Sequence, residues 1–328
     1  MTKENKFQSS LSRHIENFIK EKRSLGYKYL HEARAMREFD KYWAEHGYEE
    51  TGLTADNLSD WVRKKDSERG ANLNFRIGVV REFSRYLNGL SIPSYIPPLE
   101  VRCEKPVRHL LTPAEIHEIF SQIDGRIFLH GKRCAAHIKR IDDEYPVLFR
   151  LIYLNGMRVS ETCKLPVSQI DTDSGAITVL NGKGNKDRLI YLSDDMRRLC
   201  SDYLNHLRVT LGFTPKWAFP GRNIEEPLNI TTVERAFDFA WNRTSFAESC
   251  HKKPSVHDLR HAYVVRRINL WLEQGLDFEH MLPYLSKFLG HHGFNETFYY
   301  YHYTEEAAKT IRKMDTVIGK VIPEVMRR

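Results

Sequence analysis

Residues 91–99 read Ser-Ile-Pro-Ser-Tyr-Ile-Pro-Pro-Leu, three prolines in nine positions. Proline fixes φ and lacks an N–H, so neither a helix nor the interior of a sheet can run through this stretch. A chain of 328 residues interrupted there folds as two pieces, and at about 150 residues per domain its length also asks for two. The pattern predicts a first domain over 1–92, an extended linker over 93–106 and a second domain over 107–328.

Before the prolines, apolar residues recur at helical spacing. Leu11, Ile15, Phe18 and Ile19 form one stripe. Ala33, Met36, Phe39, Tyr42 and Trp43 form a second, over Glu32 to His46, with Gly47 as its stop. Thr54 begins a third helix with Leu58, Trp61 and Val62. A fourth, from about Asn72 to Asn88, has Leu73, Ile77, Val80, Phe83 and Leu87 inward. With no strand signal, these predict a small all-α domain.

After the prolines the periods mix. Leu111-Thr-Pro-Ala-Glu115 reads as a helix start, with Thr112 as N-cap, Pro113 in the first position and Glu115 closing a capping box. The basic stretch between His130 and Arg140 reads as a loop or short insertion, and Tyr145 to Met157 as a buried helix. Strand signals over 168–171, 176–180 and 188–192 are separated by turns at 173–175 and 182–186. They predict a three-stranded antiparallel meander, after which the pattern is helical again. The expected fold class is mainly α with a small antiparallel β-sheet (α+β).

Composition narrows the function classes. Fifty Lys and Arg against forty-three Asp and Glu give +7, which suits an anionic partner, nucleic acid being the commonest. No apolar run approaches the ~18 residues of a membrane span, and the polar start lacks a secretory apolar region. Five cysteines with no CxxC pair argue against a disulfide framework or a Cys-rich zinc site; the expected location is the cytoplasm.

Four segments concentrate cationic and imidazole side chains. Arg158 follows a glycine that ends the buried helix, in Asn-Gly-Met-Arg-Val-Ser-Glu; taken alone it reads as a surface arginine paired with Glu161. Lys183 sits on the turn Gly-Lys-Gly-Asn-Lys, which alone reads as solvated and is not a Walker A loop. His257, Arg260 and His261 share a helix face, which suits either a buried structural histidine or a phosphate site. His291-His292 precedes the aromatic run 298–303; without a carboxylate or cysteine partner nearby a metal site is disfavoured, and the run alone reads as core.

Taken together the segments resemble the tyrosine recombinase (phage integrase) family, whose order is arginine, lysine, HxxR, LGH, then tyrosine nine residues on. Arg158 lies in GMRVSE, Lys183 in GKGNKDR, His257 and Arg260 in HDLR, and His291 in LGHH; Tyr300 follows at the family's spacing, with His302 after it. The resemblance covers residues 107–303. It implies site-specific DNA recombination through a 3′-phosphotyrosyl intermediate, integrase or transposase in type, with no cofactor and no metal. By resemblance Tyr300 is the nucleophile, Arg158 and Arg260 clamp the phosphate, Lys183 is the general acid, His257 the base, and His291 a hydrogen-bond donor to the phosphate. A type IB topoisomerase or telomere-resolving enzyme would share this chemistry, and a regulator without catalysis would retain only the DNA binding.

The resemblance also assigns the first domain as the helical, SAM-like core-binding domain on double-stranded DNA. Lys64, Lys65, Arg76, Arg81 and Arg85 are its candidate DNA contacts, a solvated helix face being the plain alternative for each. After Tyr303, Thr304 caps a tail helix to about Ile322 with an apolar stripe. The bland reading packs it on its own domain; the family's tails dock on a neighbouring protomer, which implies a homo-oligomer, a tetramer on two duplexes.

Overall fold

The computed structural model describes residues 7–99, 109–126, 135–180, 182 and 187–290. Among them the chain is mainly helical with one small antiparallel sheet, and it divides into two compact units, Met1–Pro106 and Val107–Arg328.

The described residues of the first unit form four helices: α1 (Ser12–Ser24), α2 (His31–Glu45), α3 (Ala55–Val62) and α4 (Gly70–Gly89). Leu11, Ile15, Phe18, Met36, Phe39, Trp43, Leu58, Phe83 and Leu87 are fully buried in its core. The stripes seen in the sequence are thus the buried faces. Tyr42 lies at the edge of this core because its hydroxyl needs a partner, which it finds in the Asn57 carbonyl at 2.6 Å. Thr54 caps α3: its Oγ1 accepts from Asn57 N at 3.2 Å while Asn57 Oδ1 accepts from Thr54 N at 2.8 Å.

The described part of the proline-rich segment is extended but does not stand free of this unit. Tyr95 N donates to Leu53 O at 2.7 Å, and Leu53 N donates to Ser94 Oγ at 3.2 Å. Asn88 exchanges two 2.8 Å hydrogen bonds with Ser94, and Arg81 donates to Pro97 O. Proline has no N–H to give, and the backbone groups of Ser94, Tyr95 and Pro97 find their partners in the helical unit.

The second unit begins with α5 (Pro113–Asp124) and α6 (Ala136–Asn155). Thr112 and Glu115 form the expected capping box. The basic stretch departs from expectation: 136–140 is not a loop but the start of α6, which also runs through Pro146. Arg140 is buried rather than solvated, paired with Glu144 one turn on and donating to the carbonyls of Pro220 and Gly221. Burial pushes the Glu144 carboxyl above its usual range, with the Arg140 charge opposing. α6 packs along α10 (Val256–Glu273) and α8 (Asp194–Leu211) and continues through a proline that would cost an isolated helix ~3 kcal/mol.

The short α7 (Val159–Cys163) follows, then the sheet β1 (Ile170–Asp171), β2 (Ala176–Val179) and β3 (Arg188–Tyr191). Its order is β1-β2-β3, antiparallel throughout, with Ile177 opposite Ile190 and Val179 opposite Arg188. α9 (Ile230–Trp241) packs on α5, and α11 (Phe278–Leu289) packs on α10 and β3. No helix among the described residues is long and apolar enough to cross a membrane.

Candidate active site

Gly156 is where α6 must end. Its φ is +59°, and a Cβ there would lie 2.6 Å from the Tyr263 ring, so both conformation and space require glycine. The chain reverses and presents Arg158 at the start of α7. The Arg158 guanidinium, 15% exposed, donates from Nη1 to Glu161 Oε1 at 2.7 Å and from Nη2 to the Gly290 carbonyl at 2.8 Å. Glu161 Oε2 in turn accepts from Arg158 N at 3.1 Å.

Arg260 reaches the same place from α10. Ser255 and Asp258 cap that helix, Ser255 N donating to Asp258 Oδ2 at 2.7 Å and Oγ at 2.8 Å. Arg260 is 2% exposed; its Nη1 donates to Gly156 O and its Nη2 to Leu289 O at 2.7 Å. Two arginines 102 positions apart therefore hold consecutive carbonyls, Leu289 and Gly290, at the end of α11. His257 lies one turn before Arg260, half-buried, its ring 4.5 Å from that of the buried His261 in an edge-on contact.

One further cation occupies the site that the motif order did not single out. Arg188, at the start of β3, donates to Glu161 from Nη2 at 2.7 Å and from Nη1 at 3.1 Å. A Cβ on Gly290 would meet Arg188 Nη1 at 3.3 Å and Arg158 Nη1 at 3.4 Å. Burial raises the Glu161 carboxyl, but hydrogen bonds and charge from Arg188 and then Arg158 outweigh it and leave the group at about 2. Two guanidinium groups on one carboxylate leave net positive charge, as a phosphate site requires. A signal for Arg188 was present in the strand period: it shares the inward face with buried Ile190, two residues on.

A model of the phage integrase family matches residues 111–307. The chain belongs to this family, the tyrosine recombinases. It is a site-specific DNA recombinase, an enzyme of DNA strand transfer. Among curated relatives, tyrosine recombinase XerC of Lacticaseibacillus casei is 26% identical over 74% of this chain and 75% of its own length. Among solved structures, XerH bound to its palindromic difH substrate superposes with a TM-score of 0.61 at 18% identity, covering 88% of this chain and 78% of XerH. A lambda integrase dimer bound to a COC′ core site gives 0.59 at 18% identity, covering 88% and 94%. These two likenesses concern the fold.

The recombinase's sequence-predicted residues fall into three groups. Arg158 and Arg260 converge, with His257 adjacent. Lys183, His291, Tyr300 and the tail helix lie outside the described residues. The first-unit cations differ among themselves. Arg76 is engaged internally: it donates to Glu68 from Nε at 2.7 Å and Nη2 at 2.8 Å, to Arg63 O at 2.7 Å, and stacks over the Trp61 ring at 5.2 Å. Arg81 donates one N–H to Pro97 O, and exposed Arg85 pairs with Glu82. Lys64 and Lys65 are exposed.

Proposed function

We propose that this recombinase cuts and rejoins double-stranded DNA through a 3′-phosphotyrosyl intermediate on Tyr300, as an integrase or transposase. The observation that supports it best is the convergence of Arg158 and Arg260 on the carbonyls of Leu289 and Gly290. Those carbonyls directly precede His291 in the chain, so the two arginines share one locus with the start of the LGHH motif.

In the proposed reaction the Tyr300 oxygen attacks phosphorus and the bond to the 5′-oxygen breaks. The phenol proton passes to His257, and the leaving oxygen takes a proton from Lys183. Arg158 and Arg260 stay protonated at any working pH and balance the charge that grows on the non-bridging oxygens. His291 adds a hydrogen bond to the phosphate. The covalent ester retains the bond energy, so religation needs no nucleotide cofactor, and the guanidinium and ammonium groups supply the charge a metal would otherwise bring. The first unit serves as core-binding domain, with the exposed Lys64 and Lys65 as its phosphate contacts. The tail helix over 304–322 docks on a neighbouring protomer and builds a tetramer on two duplexes.

A nicked suicide substrate tests the chemistry. Tyr300→Phe is expected to bind the half-site normally and form no adduct, whereas Tyr299→Phe and Tyr301→Phe retain it. Adduct on the Tyr300→Phe protein would overturn the assignment. Lys183→Ala should cleave normal DNA slowly and recover on DNA with a bridging 5′-sulfur, because a thiolate leaves without a proton; equal impairment on both removes Lys183 from the acid role.

A further inference from the structure

Arg188 is 7% exposed, too enclosed to serve as a general surface cation, and it gives two hydrogen bonds to one carboxylate. That carboxylate, on Glu161, is the same group that grips Arg158. The Arg188 Nε is buried with no hydrogen-bond partner among the described residues. Arg188 Nη1 and Arg158 Nη1 border the same space beside Gly290, where a Cβ would lie 3.3 and 3.4 Å from them. The arrangement is a relay of three side chains: β3 holds Arg188, Arg188 holds Glu161, and Glu161 holds Arg158.

Resting on the reading of Arg158 as a phosphate clamp, we propose that Arg188 is a positioning residue for DNA cleavage, fixing the Arg158 guanidinium through Glu161. It is not a DNA contact in its own right. Without Arg188, Glu161 has one cation instead of two, and Arg158 has a partner free to rotate. The consequence falls on the chemical step, because Arg158 does its work on charge that appears only in the transition state.

The test is single-turnover cleavage of the nicked suicide substrate by the full chain, with half-site affinity and its salt dependence measured alongside. Arg188→Gln should slow adduct formation about 10- to 100-fold, the usual range for loss of an orienting partner, while affinity and salt slope hold. Arg188→Lys should recover part of the rate, since an ammonium grips a carboxylate as a point charge and not as a fork. Arg188→Gln and Glu161→Gln together should be no worse than Glu161→Gln alone, because both break one relay. In the wild type Glu161 stays ionised down to about pH 2, so it adds no acid limb to the cleavage rate. Removing Arg188 takes away the largest of the charges that hold it down, so the limb should enter from the acid side.

A fall in affinity with a shallower salt slope in Arg188→Gln would make Arg188 a phosphate contact and overturn the proposal. So would losses that multiply in the double variant with no change in the acid limb. The Arg188→Lys protein, compared by thermal melting, separates these outcomes from misfolding. Absence of any adduct with the wild-type protein would instead strike the proposed cleavage chemistry, whereas wild-type rates in Arg188→Gln strike this inference alone.

Discussion

Three arginines of the first unit and three of the second are used in opposite ways. In the first unit Arg76, Arg81 and Arg85 turn back on their own unit, towards Glu68, Pro97 O and Glu82. In the second, Arg158, Arg188 and Arg260 converge from α7, β3 and α10 on the end of α11, and share one carboxylate among two of them. In the first arrangement two of the three guanidinium groups meet a carboxylate of their own, Arg76 on Glu68 and Arg85 on Glu82; the second concentrates positive charge around one carboxylate. A cation in a sequence therefore says little about a partner until its donors have been accounted for.

That contrast yields expectations of decreasing size. Arg158→Ala or Arg260→Ala should each cost about 10²- to 10³-fold in single-turnover cleavage, the scale of one preorganised donor to a developing oxyanion. Arg260→Ala should also lower the melting temperature, since the carbonyls of Gly156 and Leu289 lose their donor. A cleavage rate within threefold of wild type would show that the convergence has no catalytic meaning.

Arg140→Ala tests whether burial alone makes an arginine important. It strands Glu144 in the core and should destabilise the chain by about 3–5 kcal/mol in denaturant titration, through stability alone. A loss under about 1 kcal/mol would mean that the pair is hydrated. Arg76→Ala should destabilise the first unit by about 1–3 kcal/mol, because it removes a forked ion pair and a cation held over Trp61. The salt slope of DNA binding should not change; a drop near 0.9 would instead place Arg76 on a phosphate. The smallest effects belong to the exposed lysines. Lys64→Ala and Lys65→Ala should weaken binding uniformly across DNA sequences and each lower the salt slope by about 0.9, with stability unchanged. Slopes identical to wild type would move the contact surface elsewhere.

Much of this was legible in residue order. The stripes at 11–19, 33–43 and 73–87 give their own buried faces, because helical period and burial are the same information. Thr112-Pro-Ala-Glu115 fixes a helix start by local hydrogen bonds alone. The three strands follow from alternation and turn residues, and the arginine, HxxR and LGH motifs carry the resemblance that implies a phosphate reaction.

What sequence order could not supply is which polar groups meet across long separations. Arg140 reads as the end of a basic loop or short insertion, yet it lies in the core on the carbonyls of Pro220 and Gly221, 80 and 81 positions away. Arg76 reads as a candidate phosphate contact or a solvated helix face, and in the structure its donors go to Glu68 with the guanidinium over Trp61. Arg188 reads as the last residue of a turn motif until Glu161, 27 positions earlier, is found on its fork. Local periodicity and capping are set by neighbours within a few residues, so the chain itself determined them. The destination of a guanidinium donor is set by whichever acceptor the packed elements bring within about 3 Å, and only the tertiary structure decides that.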